Sequence, residues 1–119
     1  SMIKIYKENY KHLPKRFVNK IDSDINFIIH ENIPFLKKIY LFGSCARGDV
    51  RNSSDVDLLI VTEKPLTNRT LAAQIRWTLD EDLCGIKTDV VYMTEDTIQQ
   101  SSAFHRIINS EKVMILEVL

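Results

Sequence analysis

The chain has 119 residues and a mass of 13.8 kDa, with 45% hydrophobic and 27% charged residues. These values predict one compact globular domain over residues 1–119 and exclude a disordered chain. Lys and Arg together number 16, as do Asp and Glu. This balance argues against direct nucleic-acid binding, because domains that bind nucleic acids are usually strongly basic.

Three features predict a cytoplasmic protein. No apolar run approaches the roughly 20 residues that a membrane-spanning helix needs. The basic N-terminal segment, broken by polar residues, does not have the pattern of a signal peptide. Cys45 and Cys84 are too few to form a disulfide framework, which favours a reducing compartment.

The first half of the chain predicts a helix, a strand and a short helical turn. Apolar side chains recur on one helical stripe over residues 15–32, with Pro14 suited to the start of that helix and Pro34 to its end. An apolar strand is predicted over 36–42. Residues 45–54 are polar and predict a short helical turn followed by a loop.

A second strand over 55–62 is followed by a second long helix. Pro65 and Thr67 are predicted to open that helix and Gly85 to close it, with its buried stripe formed by Leu71, Ile75, Leu79 and Leu83. Trp77 is one position off this stripe, and we expect it to pack at the edge of the core; the alternative is a place beside a functional site or on a partner surface.

The last part of the chain predicts a strand over 87–93, a helix and a final strand over 113–116. Thr94 followed by two acids is a helix N-terminal signal, leading into a helix over 98–108. Helices therefore alternate with four strands, which predicts an α/β (α+β) fold with a small mixed sheet flanked by helices. Strand directions do not follow from this pattern.

Gly43-Ser44 stands where an apolar strand ends and a short helix begins. Glycine lets the backbone approach a phosphate closely, and backbone N–H groups at a helix start attract anions. The segment is not a P-loop, because Asp49-Val50 occupy the positions of the required Lys-Ser/Thr. Taken alone, the pair also fits an ordinary strand-to-helix turn.

Acidic residues begin two of the predicted strands. Asp55 and Asp57 flank Val56, and because strand side chains alternate, we expect both carboxylates on one face. Adjacent carboxylates repel unless a cation neutralises them, and Mg²⁺ prefers such hard oxygen ligands. Asp89 lies near the start of another apolar strand and would complete a triad able to hold two divalent ions if the two strands are neighbours. Each feature alone also fits a solvated acidic strand end.

Gly43-Ser44, ten intervening residues and then Asp55-Val56-Asp57 together resemble the signature of the DNA polymerase β-like nucleotidyltransferase superfamily. The longer string through Ala46-Arg47-Gly48 resembles its minimal nucleotidyltransferase (MNT) branch, and the likeness extends from about residue 15 to 93. The resemblance implies transfer of a nucleoside monophosphate, AMP from ATP, to an acceptor with release of pyrophosphate.

The resemblance also implies roles for the matching residues. Ser44, with the backbone at Gly43, would hold the β- and γ-phosphates. Asp55 and Asp57 would bind both Mg²⁺ ions, and Asp89 would bind the catalytic ion and help to activate the acceptor. Arg47 is a candidate either for a phosphate contact or for an ion pair with Asp49 or an acid of the sheet.

Members of this branch act as antitoxins paired with a HEPN-type toxin, and some transfer AMP to that toxin. The short chain shows no acceptor domain, so we expect the acceptor site to come from a partner protein or from a second copy of the chain. Two alternatives remain at this level. One is a non-catalytic antitoxin that masks its partner, and the other is a small-molecule (aminoglycoside-type) nucleotidyltransferase whose acceptor domain is a separate chain.

Overall fold

A computed structural model describes residues 2–81, 83–99 and 102–119 of the chain. In that part of the chain one mixed sheet is flanked by helices, as the sequence predicts, but the sheet has five strands and the sequence predicts four. The strands are β1 (Ile3–Ile5), β2 (Leu36–Phe42), β3 (Val56–Thr62), β4 (Thr88–Thr94) and β5 (Val113–Val118), and the helices are α1 (Lys15–Glu31), α2 (Gly43–Arg47), α3 (Arg69–Leu79), α4 (Glu95–Ile98) and α5 (Ala103–Glu111).

The sheet has the order β1-β5-β2-β3-β4, in which only the β3–β4 pair is parallel. The parallel pair follows from the connection, because a strand can return beside its predecessor in the same direction only through a crossover such as α3. As a result, the N-terminal ends of β3 and β4 lie at the same edge of the sheet as the C-terminal end of β2.

Both faces of the sheet bury apolar side chains. On one face, α1 and α3 pack through residues such as Phe17, Ile25 and Ile75 against β2, β3 and β4. On the other face, Ile98 of α4 and Ile108 of α5 pack against β3. The alternation of side chains along β3 explains the division, since successive residues point to opposite faces.

The second long predicted helix differs from the structure at both of its ends. The helix opened at Pro65 starts at Arg69, because the Asn68 side chain accepts a hydrogen bond from Leu71 N and caps it. That helix ends at Leu79, and Leu83 instead pairs with Ile86 in a turn that includes Gly85 at φ +79°. Leu83 is therefore exposed and does not belong to the buried stripe.

The predicted helix over 98–108 is wrong in its bounds, since α4 and α5 are separate elements; Gln100 and Ser101 lie outside the described residues. Thr94 does cap α4, accepting a hydrogen bond from Thr97 N. The short strand β1, at an exposed edge of the sheet, was not predicted. Its three residues are too few to show a period of two.

Candidate active site

Asp57 and Asp89 are directly opposite each other in the parallel register of β3 and β4. Partners in a parallel register project to the same face of a sheet, so the two carboxylates are neighbours. Asp57 is half-buried and Asp89 is exposed. Local pattern alone could not place these residues together, because 32 positions separate them and strand order does not follow from such pattern.

Asp55 lies one residue before β3 and is exposed. Its charge still acts on Asp57, whose pKa is raised to about 6 by burial first, then by the charges of Asp89 and Asp55. Arg47 opposes this rise, and Glu111 adds a small further increase. The predicted strand over 55–62 is thus one residue too long at its start, but the three aspartates do form one electrostatic group.

Gly43 lies against Asp57 at the end of β2. It has φ +68°, and a Cβ added there would collide with Asp57 Oδ2 and lie 3.3 Å from Cγ. Only glycine therefore fits both the backbone conformation and the contact. Because Phe42 pairs with Asp57 in the β2–β3 register, the chain turns into α2 immediately beside the carboxylates.

Ser44 is the second residue of α2, which begins two residues before the predicted turn. The C-cap Gly48 closes this helix, with its N–H donating to Ser44 O at 2.8 Å. Ser44 therefore lies in the single turn of α2, directly after Gly43 with its positive φ, and both residues are half-buried.

Glu111, at the end of α5, connects both ends of α2. Gly43 N donates to Glu111 Oε1 at 3.3 Å, and Arg47 Nη1 donates to Glu111 Oε2 at 3.1 Å. Arg47 Nε also donates to Asp49 Oδ2 at 3.3 Å. Arg47 therefore forms the ion pair with Asp49 that the sequence left open. No sequence pattern indicates Glu111, because it is a single acid at the polar end of a helix.

Cys45 lies in the same electrostatic environment as the aspartates. It is buried, and its Sγ donates to the carbonyl oxygen of Asp55 at 3.7 Å. Burial, followed by the charges of Asp57 and Asp55, raises the pKa of the thiol to about 12. Cys45 is thus a neutral packing residue next to the acidic group.

A cavity of about 700 Å³ opens beside Asp57 and Asp89 and extends along α3, where Ala73, Arg76, Trp77 and Asp80 line it. The Trp77 side chain is 84% exposed, so the expected packing at the core edge is wrong. Arg76 is engaged locally, donating to Val90 O at 3.4 Å and lying over the Tyr92 ring. Trp77 was recognisable in the sequence only by its displacement from the apolar stripe.

The donor chemistry of the facing carboxylates fits Mg²⁺, which takes one or two carboxylates together with substrate phosphates. The raised pKa of Asp57 reflects burial first and then repulsion by Asp89 and Asp55, and a cation would relieve that repulsion. Within residues 2–81, 83–99 and 102–119, no three His, Cys, Asp or Glu side chains are arranged closely enough to enclose an ion by themselves. In the same part of the chain no helix has the length and apolar character for crossing a membrane.

Comparisons with known proteins place these features in context. Residues 23–117 match the family described as polymerase beta, nucleotidyltransferase. A curated relative, the protein adenylyltransferase MntA of Shewanella oneidensis, is 36% identical over 65 residues, which are 52% of this chain and 47% of the relative. The chain therefore spans about half the length of that relative.

Two solved structures share the fold. A toxin-antitoxin crystal structure with AMP-PNP aligns with a TM-score of 0.50 and 25% identity, covering 78% of this chain and 70% of that one. A mutant of the toxin-antitoxin complex MntA-HpeT aligns with a TM-score of 0.51 and 26% identity, covering 79% and 70%.

Proposed function

The chain belongs to the polymerase beta nucleotidyltransferase family, and we propose that it transfers AMP from ATP to a hydroxyl group of a partner protein. The observation that carries this proposal is the direct opposition of Asp57 and Asp89, with Gly43 packed against Asp57. A turn suited to phosphate and a pair of carboxylates suited to metal thus lie at one edge of the sheet.

On the nucleotide side, the residues of α2 would bind the triphosphate. Ser44 would donate to the β- and γ-phosphate oxygens, and the backbone N–H of Gly43 would join it by exchanging Glu111 for a phosphate oxygen. Arg47 would reach the phosphates only by leaving its pairs with Asp49 or Glu111. Its first role in the proposed mechanism is therefore to hold α2 in place.

Asp55, Asp57 and Asp89 would hold the metal, two Mg²⁺ ions in the proposed complex. The bound metal would neutralise the charge that develops on the phosphates and on the pyrophosphate leaving group. The chain's own part is to hold Asp57 in place against Gly43 and to keep the exposed Asp89 beside the acceptor. The carboxylate of Asp89 would accept the proton of the attacking hydroxyl.

The reaction balances without a further reactant. The acceptor oxygen forms a bond to the α-phosphorus of ATP, the bond from that phosphorus to the bridging oxygen of pyrophosphate breaks, and the hydroxyl proton passes to Asp89. Such transfer depends mainly on positioning and charge neutralisation, which is what carboxylates placed on rigid strands provide.

The acceptor would enter through the cavity along α3, on the far side of Asp89 from the phosphate turn. The exposed Trp77 beside this cavity favours a protein segment over a free hydroxyl compound, because aromatic side chains are enriched at protein interfaces. We propose a HEPN-type toxin as this partner, with the chain as its antitoxin. The relative named protein adenylyltransferase MntA and the toxin-antitoxin structure with AMP-PNP support this choice.

We also propose that the reaction takes place in the cytoplasm. Cys45 and Cys84 are both free thiols. Free thiols are compatible with a reducing compartment.

The test is incubation of the chain with its co-expressed partner, Mg²⁺ and α-labelled ATP. We expect label on the partner with the wild type and none with the Asp57→Asn, Asp89→Asn double variant. Tight complex formation without label from the wild type would contradict transfer and favour masking of the partner. Label on an aminoglycoside but not on the protein would instead assign a small-molecule acceptor.

A further inference from the structure

A buried ion pair and a threonine hydroxyl form a polar network beneath the carboxylates. Lys20, Asp24 and Thr88 are 2%, 1% and 1% exposed. Lys20 Nζ donates to Asp24 Oδ1 at 2.7 Å and to the carbonyl oxygen of Leu79 at 2.9 Å. Thr88 Oγ1 donates to the other carboxylate oxygen, Asp24 Oδ2. The three residues therefore satisfy one another inside the core.

This network joins three elements at one point. Lys20 and Asp24 belong to α1, Leu79 is the last residue of α3, and Thr88 is the first residue of β4. Thr88 immediately precedes Asp89. Since successive strand residues point to opposite faces, Thr88 is fixed from the core side while Asp89 faces the candidate site.

The start of β4 needs such a restraint. In the sheet order β4 has a neighbour only on the β3 side, and the turn before it contains Cys84 and Gly85 at positive φ. The register that sets Asp89 opposite Asp57 is therefore held from one side by the β3 ladder and from the core side by the hydroxyl of Thr88.

Stability alone does not account for a charged pair at this place. Taking two charges out of water costs about as much as their attraction returns, and well-packed apolar residues of similar volume often replace such pairs without loss. A network whose hydrogen bonds all have fixed directions does, however, select one geometry.

We infer that Asp24, oriented by Lys20, is a positioning residue that acts through Thr88 to hold Asp89 opposite Asp57. The inference rests on the proposed function, because it gives the position of Asp89 a purpose in metal binding. It goes beyond that function in assigning a role to buried residues that touch neither nucleotide nor acceptor.

Two substitutions of one residue separate positioning from stability. Thr88→Val keeps the volume and removes the hydroxyl, whereas Thr88→Ser keeps the hydroxyl and removes a methyl group. Thr62→Val, at the equally buried far end of β3, is the control for loss of a hydroxyl elsewhere in the sheet. For each full-length variant we would measure the thermal midpoint and, by calorimetry, Mn²⁺ binding in the presence of AMP-PNP.

We expect Thr88→Val to weaken Mn²⁺ binding about tenfold, the usual effect of losing a residue that orients a metal ligand. Thr88→Ser and Thr62→Val should stay within about twofold of the wild type, even where their thermal midpoints fall. Unchanged Mn²⁺ binding in Thr88→Val would overturn the inference. A loss of Mn²⁺ affinity in all three variants, in proportion to the fall in their thermal midpoints, would also overturn it.

Amide hydrogen exchange gives a readout that does not need the proposed reaction. In Thr88→Val the exchange of residues 88–90 should accelerate, while that of residues 60–62 should not; equal rates in the variant and the wild type would count against positioning. A wild type that binds no Mn²⁺ with AMP-PNP would contradict the proposed function, and the exchange data would then decide the positioning claim alone.

Discussion

The carboxylate of Asp57 packs against the Cα of Gly43, so closely that a Cβ at residue 43 would collide with Asp57 Oδ2. This contact joins the phosphate turn to the carboxylate pair. It makes the two parts of the candidate site geometrically dependent on each other, although 14 positions separate them in the chain.

Gly43→Ala should weaken nucleotide binding strongly. Gly85→Ala is the matched control, because Gly85 also has positive φ (+79° against +68°) but its nearest neighbour would lie 3.9 Å from the new Cβ. Both variants should lose about 1 kcal/mol of unfolding free energy from backbone strain. Only Gly43→Ala should also displace Asp57, which calorimetric titration with AMP-PNP and Mg²⁺ would detect. Equal nucleotide affinities in the two variants would contradict a role of the Gly43–Asp57 contact in nucleotide binding.

Asp57→Asn and Asp89→Asn should each reduce AMP transfer by about a thousandfold or more, because each removes a charge that neutralises or positions the reacting phosphates. Asp96→Asn is the control, since Asp96 is an exposed acid on α4, beyond the opposite end of β4. Its transfer rate should equal that of the wild type. The measurement is initial rate of label transfer at saturating ATP. Substantial transfer by Asp89→Asn would exclude Asp89 as the acceptor base.

The raised pKa of Asp57 predicts a stability change with a definite sign. A carboxyl whose pKa is about 6 in the folded protein and about 4 in the unfolded chain holds its proton better when folded. Folding stability therefore decreases as the pH rises from about 4 to about 6 and stays reduced above that range.

Asp57→Asn should consequently be more stable than the wild type at pH 8, by the order of 1–2 kcal/mol after allowance for solvent screening, and no more stable at pH 4. Thermal melts of both proteins at the two pH values would show a difference of roughly 5 °C at pH 8 only. A gap of the same size at pH 4 would mean that the carboxylate charge is not its cause. Metal binding should follow the opposite course and strengthen as the pH rises through about 6, because the ligand must lose its proton.

Trp77→Ala should raise the KM for the protein acceptor about tenfold and leave nucleotide binding unchanged, because exposed aromatic side chains at docking surfaces contribute about 1–3 kcal/mol. Phe35→Ala is the control: Phe35 is 53% exposed but does not line the cavity. The two readouts are the acceptor KM and the dissociation constant for AMP-PNP. Weakened nucleotide binding in Trp77→Ala would assign Trp77 to the nucleotide rather than to the acceptor.

Glu111→Ala should weaken nucleotide binding and lower the thermal midpoint, because Glu111 accepts hydrogen bonds from both Gly43 and Arg47. Asp49→Asn, which alters only one pair of Arg47, should have a smaller effect on both quantities, as expected of an exposed ion pair. A gain in nucleotide affinity from Glu111→Ala would instead identify Glu111 as a competitor of the phosphates.

Local sequence pattern determined the elements that have a clear hydrophobic period or apolar run bounded by residues such as proline. The stripe of α1 and the apolar run of β2 gave bounds that agree with Lys15–Glu31 and Leu36–Phe42 to within a residue. Spacing and residue type also indicated that Gly43-Ser44 and the aspartates belong to one candidate site. These features depend on neighbours within a few positions, which is why they can be recognised without the fold.

Tertiary structure decided which of these residues meet. The parallel pairing of β3 and β4 sets Asp89 opposite Asp57, and that pairing depends on a crossover and on burial that no local window contains. The same holds for Glu111 beside Gly43 and for Asp24 of α1 beside Thr88 of β4, because these contacts join elements that are distant in the chain. Charges are brought together by packing of the whole chain, so their interactions follow from three-dimensional contact rather than from order along the sequence.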